Sequence, residues 1–257
     1  GRKPPRTDST INVMGETYRS RTGLAIEPGW VQRNLNIFQF LKGSIIYPVE
    51  LSIPGSIDEK RPVTSLDQLY AQAAGMNVVL KGKVQQWALR CNGMFQLKNL
   101  RPAIFVRWAD AANDEQTRRR IKWGEIKTYN RAIEKLLRSY RSDVSQLCDL
   151  CRQTIVFEDL NELIGCLYTI GSDKQIVVCR IKNRLDPNYD ARMTAGHRSV
   201  VLNVRVVARE TKRLGLETHV SEVQLVLRQL QELQNEEAHA RYIQFRNNYP
   251  YKRQEPS

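Results

Sequence analysis

The stretch 199–207, Ser-Val-Val-Leu-Asn-Val-Arg-Val-Val, limits what this chain can fold into more than any other. Five of its nine residues are valine, whose branched Cβ is stiff at χ1 and packs well on a pleated strand. A second strand is expected at 218–227, where Val220, Val223 and Leu225 supply the apolar content. The two lie close enough to pair as a hairpin, so the sheet is at least partly antiparallel. Shorter apolar runs at 153–157 and 176–181 add two more strands.

Helical spacing fills the intervals. Residues 128–140 place Ala132, Ile133, Leu136 and Leu137 on one stripe, and 144–151 reads as a second, shorter helix. Asp159 caps a helix through residue 170 carrying Leu160, Leu163, Ile164 and Leu167. A last helix runs over 228–245. The order α-α-β-α-β-β-β-α predicts an α+β fold with a mixed, partly antiparallel β-sheet flanked by helices. Neither a G-x-G-x-x-G fingerprint nor a P-loop is present, which excludes a doubly wound nucleotide fold.

Upstream, residues 1–62 read as an extended basic arm. They hold Pro4, Pro5, Pro28, Pro48, Pro54 and Pro62 and only short apolar stretches, too little for a core of their own. Trp30, Phe38, Phe40 and Tyr47 would anchor such an arm on a neighbouring surface. Residues 63–126 form a helical or mixed region packing on the core. There Ser65 caps a helix, Gly75 is expected to break it, and 78–89 resumes it. The stretch 101–109 is a short strand or a loop. Arg118-Arg119-Arg120 with Lys122 is either a solvated helix face or a polyanion contact. Residues 127–248 are the main domain and 249–257 a tail.

The net charge of +13 draws the chain towards polyanions such as RNA, nucleotides, an acidic membrane surface or an acidic protein. No apolar run reaches the roughly 18 residues of a membrane span, so an intracellular protein is expected, with the mitochondrion or another organelle among its compartments. The chain opens at Gly1 rather than methionine, as a processed chain or a piece of a longer one would. Five cysteines in apolar contexts do not make a secreted disulfide framework. Cys148 and Cys151 form a C-x-x-C without a second ligand pair nearby, so buried structural thiols are expected rather than zinc.

Two acids stand out by position. Asp149 precedes the strand 153–157, and Glu222 lies inside the strand 218–227. A carboxylate in an apolar strand is costly to bury unless it is paired or binds a cation. Two converging carboxylates could hold Mg²⁺ together with nucleotide phosphates; alternatively Glu222 faces solvent or pairs with Arg180 or Arg205. Arg180 and Lys182 end one strand, Arg184, Arg192 and Arg198 follow in the loop, and Lys127 and Arg131 stand one turn apart at the long helix's start. Such cations neutralise a polyphosphate, although Arg and Lys beside strands are also ordinary surface residues. Gly196-His197 allows a tight backbone approach beside a ring that could stack on a base.

Several fragments in order resemble the RelA/SpoT alarmone synthetase domains. They are Asp149-Leu150 before an Ile-Val-Phe strand, Arg180-Ile181-Lys182-Asn183, Gly196-His197, Glu222-Val223-Gln224-Leu225 and Ala238-His239-x-x-Tyr242. The resemblance covers about the last half of the chain and implies pyrophosphate transfer from ATP to the ribose 3′-hydroxyl of GDP or GTP. It makes Asp149 a Mg²⁺ ligand and Glu222 a partner of the metal or of the hydroxyl proton. Arg180, Lys182, Lys127 and Arg131 become phosphate contacts, and His197 takes the place of the tyrosine that stacks on guanine.

That histidine is a weaker, titratable stacking surface. The acid expected after the strand-end lysine is Asn183, and no His-Asp pair of the family's hydrolase domain occurs. These departures lead to a degenerate, non-catalytic module expected to serve as a structural or adaptor subunit. Its partner would be a larger protein or ribonucleoprotein assembly, RNA-containing or organellar, reached through the arm. The alternatives are an active Mg²⁺-dependent (p)ppGpp-type pyrophosphokinase and an RNA-binding protein without a nucleotide site.

Overall fold

The computed structural model describes residues 10–13, 16–19, 44–46, 63–194 and 196–233. The chain divides into two units, Gly1–Gln39 and Phe40–Ser257. In the first, β1 (Thr10–Val13) and β2 (Glu16–Arg19) pair antiparallel. Most of the expected arm, with its four aromatic anchors, lies outside the described residues. So do the tail and the last helix beyond its first turn.

The second unit is built on a seven-stranded sheet. Its strands are β3 (Ser44–Ile46), β4 (Met94–Gln96), β5 (Phe105–Arg107), β6 (Arg152–Phe157), β7 (Ile176–Asn183), β8 (Val200–Val206) and β9 (Ser221–Leu227). The spatial order is β3-β7-β8-β9-β6-β4-β5. β6 and β9 run parallel, and every other neighbouring pair is antiparallel. This is the mixed α+β sheet that the sequence predicts. β8, the valine-rich stretch, is buried at every position, as a strand covered on both faces requires.

Helix α1 (Leu66–Arg90) starts at Ser65, whose side chain accepts from the Gln68 N–H. Its buried side includes Leu69, Ala73, Met76, Leu80, Val84 and Trp87 at helical spacing. Contrary to expectation, α1 runs unbroken through Gly75. A Cβ there would come within 2.8 Å of Leu216 Cδ1, so Gly75 serves close packing rather than termination.

The ambiguous stretch 101–109 becomes β5 followed by the short helix α2 (Trp108–Ala111), and the arginine triplet ends α3 (Glu115–Arg120). α4 (Tyr129–Ser139) buries Ala132 and Leu136, whereas Leu137, placed on the apolar stripe by spacing, is 68% exposed. The expected helix over 144–151 is only a 3-10 turn, Val144–Gln146, capped by Asp143; beyond it the backbone opens into the loop that carries Asp149.

α5 (Leu160–Gly171) begins at Asp159 as expected and buries Leu163, Cys166, Leu167 and Ile170. The link from β8 to β9 is longer than a tight hairpin, because α6 (Arg209–Arg213) interrupts it and β9 starts at Ser221. α7 (Arg228–Glu232) follows β9 directly. Among the described residues, no helix is long and apolar enough to cross a membrane.

Candidate functional site

Side chains alternate between the two faces of a sheet, and residues paired across neighbouring strands share a face. Gln153 and Ile155 of β6 face α1: Gln153 Nε2 donates to Asn77 Oδ1 at 3.0 Å, and Ile155 lies against the turn after α1. The second face therefore carries Arg152 and Thr154 of β6. Glu222 and Gln224 of β9 belong to the same face, being paired with Arg152 and Thr154. So does Asn203 of β8, opposite Glu222.

Arg180 and Lys182 join this face through a bulge. Val178 pairs with Val204, but Arg180 pairs with Asn203, which leaves Cys179 as an extra residue. Before the bulge the even-numbered residues of β7 look towards the helices; after it they look the other way. A bulge re-aims side chains in this manner. Arg180 Nε then donates to Asn203 Oδ1 at 2.8 Å, and Asn203 Nδ2 donates to the Cys148 carbonyl at 3.2 Å. Asn203 thus ties the sheet to the loop of Asp149.

Asp149 is the electrostatic centre. Lys127 and Lys135 both donate to its Oδ2, Lys135 at 2.7 Å, while Oδ1 is buried with no hydrogen-bond partner among the described residues. Burial opposes ionisation of Asp149, yet the two ammonium groups outweigh it and hold the carboxyl below its ordinary value. Burial also pulls Lys127 down, while on Lys135 the attraction of Asp149 prevails over burial. Lys127 is placed by its own N–H, which donates to the Leu150 carbonyl at 2.9 Å, and by the Tyr70 hydroxyl on its carbonyl at 2.6 Å.

Lys182 is pushed down to about 8 by burial and then by Arg180 and Arg184, with Glu222 partly offsetting them. Among the described residues it forms no ion pair with a carboxylate. Glu222 is half-buried, and its Oε1 accepts from Gln224 Nε2 at 2.8 Å. The partner weighed for it in Arg205 is excluded, because Arg205 is buried and donates to the Glu217 carbonyl. Four cations, Lys127, Lys135, Arg180 and Lys182, thus stand around two carboxylates, and the excess of positive charge suits an anionic ligand.

Arg131 is exposed on α4. It is Lys135, one turn further on, that reaches Asp149; sequence reasoning stopped one turn short of it, although the four-residue spacing from Lys127 through Arg131 leads there. Asn203 was likewise not singled out, and Cys148 only as half of a C-x-x-C. His197 sits in the loop before β8, half-buried, with Nε2 3.0 Å from Ser199 Oγ. Gly196 before it has φ +83°, a conformation that glycine adopts without strain. Arg198 is structural, reaching the carbonyls of Arg184, Asp186 and Tyr189. Arg192 is exposed and paired with Asp190, and Asn183 is buried, accepting from the Leu185 N–H.

Cys151 is buried and its thiol is pushed up to about 11 by burial, the state of an inert structural cysteine. Among the described residues, no three His, Cys, Asp or Glu side chains converge on a metal position.

No protein-family model and no curated protein matches the chain. Solved structures similar to it include small alarmone synthetase 1 of Bacillus subtilis bound to its product pppGpp. There the identity is 16% and the TM-score 0.39, over 46% of this chain and 60% of that one. Small alarmone synthetase 2 of Bacillus subtilis is similar at 15% identity and TM-score 0.37, over 49% and 64%. The complex of the Type VI effector Tas1 with its immunity protein is similar at 16% identity and TM-score 0.38, over 72% and 77%. The match thus spans less than two thirds of either small alarmone synthetase.

Proposed function

We propose that the second face of the sheet binds a nucleoside polyphosphate as a degenerate RelA/SpoT-like domain, and that its role is binding rather than turnover. The observation that carries this reading is the lock on Asp149. Two lysines neutralise the oxygen that would otherwise meet a divalent cation, while Arg180 and Lys182 on the same face have no carboxylate partner among the described residues. An arriving polyphosphate offers those cations the negative charge they lack. Asn183 and His197 add to the reading, because Asn183 at the end of β7 is taken by the Leu185 N–H and His197 by Ser199. With a net charge of +13 the chain suits a place as a structural or adaptor subunit of a larger assembly.

Magnesium fits the same residues in one way. The buried, partnerless Asp149 Oδ1 and the half-buried Glu222 carboxylate are two oxygen donors, and Mg²⁺ is commonly bound by one or two carboxylates with substrate phosphates completing its shell. When bound, it would neutralise phosphate charge. These two oxygens favour a second reading, an active ATP:GDP/GTP pyrophosphokinase.

Calorimetry with ATP and with GDP, each with and without Mg²⁺, separates the readings. Binding that Arg180→Ala with Lys182→Ala abolishes, without ppGpp formation from ATP and GDP, is the expected result. Absence of any nucleotide binding removes both readings. Formation of ppGpp that stops in Glu222→Gln replaces the first with the second.

A further inference from the structure

The second face does not end at the polyphosphate site. On its far side, beyond β6, Met94 of β4 pairs with Val156, which shares the face of Arg152 and Thr154. Gln96 and Lys98 follow Met94 by alternation and continue that face. The extended segment after α3 then adds one more ladder. Leu97 bridges Ile121 antiparallel, the Lys98 N–H donates to the Arg120 carbonyl at 2.7 Å, and the Lys122 N–H donates to the Gln96 carbonyl at 2.8 Å.

Leu97 and Ile121 are 7% and 0% exposed and turn towards the core. Lys98 and Lys122 therefore turn the opposite way; Arg120, the last residue of α3, adjoins them, and all three are exposed. The Lys98 N–H to Arg120 carbonyl bond joins the two residues backbone to backbone and keeps two like charges near one another. Among the described residues none of the three has an acidic partner, although Arg119 next door is paired with Glu115. Phe105, opposite Gln96 in β5, places a half-buried ring on the same face.

We infer that this cationic ladder, Lys98, Arg120 and Lys122 with Phe105 beside them, binds the phosphate backbone of a single-stranded nucleic acid. Arg120 and Lys122 flank Ile121, whose backbone is extended, so their Cα atoms stand about 6–7 Å apart, a step suited to successive phosphates of an extended strand. The ring offers a stacking surface of the kind that single strands use irrespective of sequence. An acidic protein partner fits less well, since stable protein interfaces centre on a well-packed apolar and aromatic core and this band has one ring among charges. The ladder and the polyphosphate site share no residue, so the inference does not depend on the nucleotide reading.

Fluorescence anisotropy of a labelled single-stranded oligouridylate, titrated with the full chain at several salt concentrations, tests it. Lys98→Ser, Arg120→Ser and Lys122→Ser combined should weaken binding about tenfold near physiological salt and flatten the logarithmic salt dependence by about 2. Phe105→Leu should lower affinity and leave the salt slope unchanged. The triple variant should melt no earlier than the parent, because it relieves a like-charge contact. An equal loss in a control triple on α6, Arg209→Ser with Lys212→Ser and Arg213→Ser, reduces the effect to net charge and overturns the inference. So does binding of polyglutamate as tight as that of the oligouridylate, which would make the ladder a site for an acidic protein. A parallel titration with oligodeoxyuridylate tells RNA from DNA, and ATP binding retained by the triple variant separates this surface from the polyphosphate site.

Discussion

Lys135 donates to Asp149 Oδ2 at 2.7 Å, on the same carboxylate oxygen that Lys127 holds. α4 supplies Lys135, the segment before α4 supplies Lys127, and the loop after the 3-10 turn supplies Asp149. One carboxylate thus fastens α4 to the loop that leads into β6.

Replacing Asp149 by Asn leaves two largely buried ammonium groups without their counter-charge. Breaking such a pair costs about 3–5 kcal/mol when it is fully buried, and the residual exposure of the lysines lowers this to about 2–3 kcal/mol. Lys135→Met should cost less, about 1 kcal/mol, because Lys127 still neutralises the acid. Because the folded state depresses the Asp149 pKa, its contribution is fully present above the unfolded value near 3.9 and is lost as pH falls through the folded value. Urea denaturation across that acid range should show the loss in the parent and not in Asp149→Asn.

Lys182 shifts in the opposite sense for a base. Its folded value of about 8 lies below the ordinary lysine value of 10.5, so the unfolded chain binds more protons between those two pH values. Stability should therefore rise as pH increases from about 8 to about 10.5, and the rise should be absent in Lys182→Met. A bound polyphosphate restores charge to the amine. Calorimetry of ATP in buffers of different ionisation enthalpy should report proton uptake near pH 8–9, again absent in Lys182→Met.

β6 to β9 were legible because their signals are local, whereas the three-residue β3 and β4 are too short to show a period of their own. The valine run of β8 and the Asp159 cap of α5 needed only their own neighbours. Gly75 misled because its reason lies in Leu216, far along the chain. Leu137 misled because a helical stripe does not reveal how much of it the core covers. The bulge at Cys179 left no mark in the sequence, yet it decides which face Arg180 and Lys182 join. Asp149 and Glu222 could be picked out as costly carboxylates in apolar surroundings, whereas Lys135 was one amphipathic position among several until the loop of Asp149 was placed against it.

His219 is 1% exposed, and neither ring nitrogen has a hydrogen-bond partner among the described residues. Burial pushes its pKa down to about 4. The unfolded imidazole takes up a proton near 6.5, so stability should fall as pH drops from about 6.5 to about 4 and level off below. A shift of this size corresponds to on the order of 3 kcal/mol. His219→Leu should flatten that limb of the stability curve, and the His219 ring resonances should titrate only near the acid end of the range in the folded protein.

Gly124 ties the candidate site to the sheet. Its N–H donates to Gln153 Oε1 at 3.0 Å and its carbonyl accepts from Gln153 Nε2 at 3.1 Å, so one buried side chain clamps both polar groups of a single residue. A Cβ at this position would lie 2.0 Å from the Arg152 carbonyl oxygen. That obstacle is backbone within β6, not a side-chain tip that can swing away, so the segment leading to Lys127 must lift from the strand. Gly124→Ala should therefore cost about 2–3 kcal/mol, the range of an overpacked core, and weaken ATP binding along with stability by displacing Lys127 from Asp149. Gly82→Ala is the matched control: a Cβ there has nothing within 4 Å, and a mid-helix glycine replaced by alanine gains about 1 kcal/mol. Thermal melts of the two variants should move in opposite directions. Equal and small shifts would show that the segment around Gly124 has room to yield and does not position Lys127.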